Sequence, residues 1–190
     1  MGYVAIGCQF LVGVVFAIAA LSKIRDTDSF AAFADAVRKL NIVPGKWVTR
    51  IAVGTVAGEA VVPVALLAAV PARGIAGSGA LSVAGLTVAL LLLLGFIGII
   101  ATSMLRGVRV SCRCFGGGGA AMGWRHVARN TVLSLVALVA LGAEATGSAH
   151  PVEVGGAALA AAMGCVLALM VAFLDDLVEL FTVGPNVTAE

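Results

Sequence analysis

The sequence predicts an all-α fold: a polytopic transmembrane helical bundle of four to five spans, with a short amphipathic surface helix after span one. Three observations carry that reading. Of 190 residues, 61% are hydrophobic and only 12% charged, with a mean hydropathy of +1.11; a water-soluble domain cannot hide so much apolar surface. The apolar residues fall into five runs, each long enough to cross about 30 Å of hydrocarbon at about 1.5 Å per residue. Between the first two runs lies a more polar stretch with the period of an amphipathic helix.

The runs are Gly2 to Leu21, Trp47 to Val70, Gly77 to Met104, His126 to Ala143 and Val152 to Leu174. The first has no basic stretch ahead of it, and its roughly 20 apolar residues span a bilayer, so it reads as a retained helix rather than a signal peptide. The amphipathic stretch, "DTDSFAAFADAVRKLNIVPG" from Asp26, spaces Phe30, Phe33, Val37 and Leu40 by threes and fours. Asp26 and Asp28 open it and Arg38 and Lys39 close it, in the sense the helix dipole favours, before Pro44 and Gly45 end it. Such a helix lies along the membrane surface, covering the end of the bundle or docking a partner. Small residues four apart, Gly54 and Gly58 in the second run and Gly156, Ala160 and Gly164 in the fifth, mark faces where helices approach closely in lipid. Residues 1–182 therefore form one membrane domain, and 183–190 a short disordered tail.

A net charge of +2 gives no footprint for nucleic acid; the partner the composition demands is the lipid bilayer. The basic residues are unevenly placed. Loop one holds Lys23, Arg25, Arg38, Lys39, Lys46 and Arg50, loop three holds Arg106, Arg109, Arg113, Arg125 and Arg129, and loop two only Arg73. With five spans, loops one and three share a side, and the positive-inside rule makes it the cytoplasmic one.

Two places in the chain carry chemistry. In "VSCRCFGGGGAAMGWRHVARN", Val110 to Asn130, Cys112 and Cys114 stand one residue apart in the polar interruption after the third span. The nearby Arg106, Arg109, Arg113 and Arg125 favour the thiolate form of each cysteine. Gly116 to Gly119 supply backbone that turns sharply. A disulfide between such close cysteines closes a small, strained ring, a property of a transfer disulfide more than of a structural one. A second reading is metal binding, in which the two thiolates hold a soft ion such as Cu(I), although no histidine or methionine cluster completes a site and only His126 and Met122 lie near. Cys8 and Cys165 fall inside apolar runs and read as small hydrophobes. Glu59, the second place, is an ionisable group in mid-span, and Pro63 leaves its carbonyl without an i+4 donor. Lys23 is the tempting partner. Yet it ends the first span, while Glu59 is about 18 Å into the second, which argues against direct pairing.

The "CRCFG" of Cys112 to Gly116, followed by Trp124 and by "RNTVLSL" from Arg129, resembles the corresponding segment of the methylamine utilisation protein MauE family, redox-associated membrane proteins grouped with DoxX-like proteins. "LSKIRD" after span one and "AGEAVVPVALL" in span two are also similar to that family. The resemblance implies a bundle in the bacterial plasma membrane that assists disulfide formation in a partner protein, such as the small subunit of methylamine dehydrogenase, alongside a thioredoxin-like redox protein. It marks Cys112 and Cys114 as the reactive pair, with Arg113, Phe115, Gly116, Arg129, Asn130, Glu59 and Lys23 in support. It fixes no cofactor; a quinone in the bundle is a candidate electron acceptor, with no quinone motif legible. Two other readings stay open: a non-catalytic membrane scaffold that docks a thioredoxin-like oxidoreductase, and a Cu(I)-binding membrane module.

Overall fold

The computed structural model describes residues 2–40, 44–70, 78–106, 124–146 and 153–174. These form six helices, with no strand among the described residues: α1 (Gly2–Ile24), α2 (Thr27–Lys39), α3 (Gly45–Ala69), α4 (Ser78–Leu105), α5 (Trp124–Ala145) and α6 (Val154–Ala172). All but α2 are long and apolar enough to cross a membrane. The five expected spans are thus present, their ends within a few residues of those read from hydropathy.

Each helix shows the bundle a stripe at helical spacing. On α3 the buried residues are Val48, Ala52, Val56, Glu59, Val62, Pro63, Leu66 and Ala69, while Val53, Val61, Val64 and Leu67 stand exposed on the other face. In water such an apolar outer face would be a liability; in lipid it is what a span requires. Helix α1 is the most enclosed, with α3, α4, α5 and α6 all packed against it. Val12, Val15, Phe16, Val62, Leu86, Leu133 and Ala137 make the apolar middle of the bundle.

The close approach expected of α6 is present. A side chain at Gly164 would collide with the Gly7 carbonyl, and one at Gly7 would come within 3.3 Å of the Ala160 carbonyl. The backbones of α1 and α6 therefore cross almost in contact, which glycine alone allows there. In α3 the expectation holds at Gly58, which faces Leu92, and fails at Gly54, where nothing lies within 4 Å. Gly54 sits on the exposed face of α3, so spacing in sequence put it on a packing stripe that tertiary structure does not use.

Helix α2 begins as its sequence indicates. Asp26 accepts a hydrogen bond of 2.6 Å from the Ser29 backbone N–H, an N-cap that satisfies one orphan donor. Lys39 pairs with Asp35 at 2.9 Å on the exposed side. Ala36 and Leu40 are buried and pack with Ile99 of α4, while Phe30, Phe33 and Val37 are half-buried. The apolar stripe of α2 thus folds onto the bundle and covers one end of it.

Candidate functional site

At the end of the bundle covered by α2, four helices enclose a pocket. Its lining includes Phe16, Ala19 and Lys23 of α1, Glu59 of α3, Leu93, Phe96 and Ile100 of α4, and His126, Arg129, Asn130 and Leu133 of α5. The α1 and α3 residues follow from their buried stripes, and the α5 residues from its first two turns, where Arg129 and Asn130 are buried and Leu133 continues the same face.

The centre of the site is an ion pair. Lys23 Nζ donates to both Glu59 carboxylate oxygens at 2.9 Å and to the Ala19 carbonyl at 3.1 Å. An ammonium has three donors, so these three acceptors use them all. Phe33 of α2 places its ring 5.2 Å from the same nitrogen, adding a cation–π contact. Both side chains are only 2% exposed. Charge at that depth is costly to desolvate, and full satisfaction of the ammonium is what makes the pair tolerable.

The pairing corrects the expectation from helix rise. That argument set the end of α1 level with the start of α3. In the structure Lys23, at the end of α1, meets Glu59 well inside α3, which rises about 21 Å between Gly45 and Glu59, and α2 packs against both helices. Phe33 can cover Lys23 for the same reason.

Of the residues marked in the sequence, Lys23, Glu59, Arg129 and Asn130 meet in this one pocket. Cys112, Arg113, Cys114, Phe115 and Gly116 lie outside the described residues. The chain that carries them leaves from the end of α4 and returns at Trp124, two residues before His126 of the pocket. Residues 1–143 match the family model of the methylamine utilisation protein MauE. The chain belongs to the MauE family. No curated protein and no solved structure matches it. Every described residue lining the pocket falls inside the MauE segment, whereas α6 lies wholly beyond it.

Two parts of the MauE bundle's polar architecture escaped the sequence. His126 figures there only as a metal candidate, yet it lines the pocket. At the far end Gln9 of α1, 1% exposed, donates to Glu144 of α5 at 2.6 Å. Its signal was plain: a glutamine in an apolar span usually bonds across helices.

Proposed function

We propose that this MauE family member is an integral membrane thiol–disulfide redox component of the bacterial plasma membrane that assists disulfide formation or maturation in a partner protein, working with a thioredoxin-like protein. The observation that carries the reading is the place of the C-x-C pair. Cys112 and Cys114 belong to the segment joining α4 to α5, and the ends of those helices flank the pocket that holds Lys23, Glu59, Arg129 and Asn130. A reactive pair is thereby tethered to a buried charged site.

The exchange runs as follows. The thiolate of one cysteine attacks a sulfur of the partner's disulfide, forming a mixed disulfide and releasing one partner thiolate. The second cysteine then attacks its neighbour's sulfur, leaving a Cys112–Cys114 disulfide and a fully reduced partner. Two electrons pass from the pair to the partner, and the reverse sequence makes a disulfide in the partner. Arg113 and Arg129 stabilise the thiolate, Asn130 orients the returning chain, and Phe115 and Gly116 shape the approach. Family membership extends the proposed client to methylamine dehydrogenase and its kind.

The test uses the full chain in membranes with Cys8→Ser and Cys165→Ser. Cys112→Ser should leave a trapped mixed disulfide or abolish partner oxidation. A scaffold would survive loss of both cysteines, so unchanged partner oxidation in the Cys112→Ser, Cys114→Ser variant overturns the redox reading; stoichiometric Cu(I) uptake lost in that variant would support metal handling instead.

A further inference from the structure

We infer that Glu59, held by Lys23 and facing the pocket with His126, is a proton-exchange site that opens only toward the end of the bundle where loops one and three lie. The inference rests on the thiol–disulfide reading and names what that exchange needs, a base for the attacking thiol and an acid for the leaving thiolate.

Four observations converge. An ion pair 2% exposed within a bundle is a poor source of stability, since apolar side chains of similar size usually serve as well, so its presence argues for a role in function. The pair also has a second arrangement available. If Glu59 takes a proton, its carboxyl keeps a carbonyl oxygen that can still accept from Lys23, which also holds the Ala19 carbonyl at 3.1 Å and the Phe33 ring at 5.2 Å. The pocket, which Glu59 and His126 both line, has about 40 Å³ of free space, too little for an aromatic ring and enough for water to enter beside them. On the inner side the pocket is closed. Val12, Val62, Leu86 and Ala137 are fully buried, and this apolar layer separates the pocket from the Gln9–Glu144 bond at the other end.

Charged and titratable side chains reach the pocket from three helices. Helix α1 presents Lys23, α3 presents Glu59, and α5 presents His126 and Arg129, whereas α4 lines the pocket with Leu93, Phe96, Ile99 and Ile100. Helix α2 contributes Phe33, and its Asp35, Arg38 and Lys39 pair with one another on the outside. Glu59 is therefore the carboxylate among the described lining residues. The proton of the attacking thiol passes through water to Glu59, giving thiolate and carboxylic acid; once the partner's S–S bond breaks, the carboxylic acid returns that proton to the leaving thiolate. Glu59 ends as it began, and no net proton is consumed.

The experiment follows thiol–disulfide exchange of full-length protein in nanodiscs with glutathione disulfide as the probe, across pH, in the background of Cys8→Ser and Cys165→Ser. Glu59→Gln, alone and with Lys23→Met so that no unpaired charge is buried, should slow exchange about 100-fold and remove one ionisation from the pH profile. Formate should restore part of the rate, and Glu59→Asp should retain it. Profiles that superimpose on the parent's overturn the proton site while leaving the redox reading intact. Difference infrared spectroscopy of the parent after a pH jump is independent of exchange: a carboxyl band absent from Glu59→Gln supports the site even if glutathione disulfide does not react, and its absence from the parent overturns it.

Discussion

A lysine and a glutamate that share two 2.9 Å contacts behave differently singly and together. Removing either partner leaves a charge in a place built for two, so Lys23→Met or Glu59→Leu should each cost about 3–5 kcal/mol, whereas Lys23→Met with Glu59→Leu should cost far less or nothing. Unfolding of the four proteins in detergent, compared as a double-mutant cycle, checks this, and additive losses would contradict the pairing. Glu59 was legible from sequence because a carboxylate in an apolar run is conspicuous. Its partner was not, because the relative depth of two helices is set by how they pack and not by where each begins.

Helices add their own constraints. Gly164 lies where α6 crosses α1, with Phe10 Cβ 3.1 Å from any added Cβ; Gly164→Val should force the helices apart at a cost of about 1–3 kcal/mol. Gly54 faces open space, so Gly54→Ala should be neutral or stabilise by up to about 1 kcal/mol through helix propensity. Chemical denaturation of the two variants should therefore move in opposite directions. The start of α2 is sensitive to pH. The Ser29 backbone N–H bonded to Asp26 holds its carboxyl below the usual carboxylate range. A depressed value in the folded state means the cap contributes fully above the ordinary carboxylate pKa and is lost as pH falls through the depressed one. Amide protection factors in the first turn of α2, which divide out the intrinsic pH dependence of exchange, should fall on acidification, and Asp26→Asn, which caps without titrating, should make them pH-independent.

At the scale of the whole bundle, alternation of five spans puts the ends of α1 and α4 and the starts of α3 and α5 together. Arg25→Cys and Trp124→Cys, both at exposed positions, should therefore react with an impermeant maleimide from one side, the cytoplasmic side by the charge rule, and Glu153→Cys from the other. Labelling of Arg25→Cys and Trp124→Cys from opposite sides would break the topology. Helix α6 packs on α1 through small residues and supplies nothing to the pocket. The site is thus a property of the MauE segment, with α6 as an outer addition.

Composition and periodicity alone determined that this chain is a membrane bundle, where its spans fall, that α2 is amphipathic with acidic residues at its start and basic ones at its end, and that the segment after α4 carries paired cysteines. These follow from local pattern, because hydrocarbon thickness and helical period act on neighbouring residues. Only the tertiary structure decided that Lys23 reaches Glu59, that Phe33 covers it, that His126 joins them and that Gly54 packs against nothing. Those facts depend on the axial offset and rotation of helices relative to one another, which arise from side chains meeting across the bundle and leave no periodic trace in any single run.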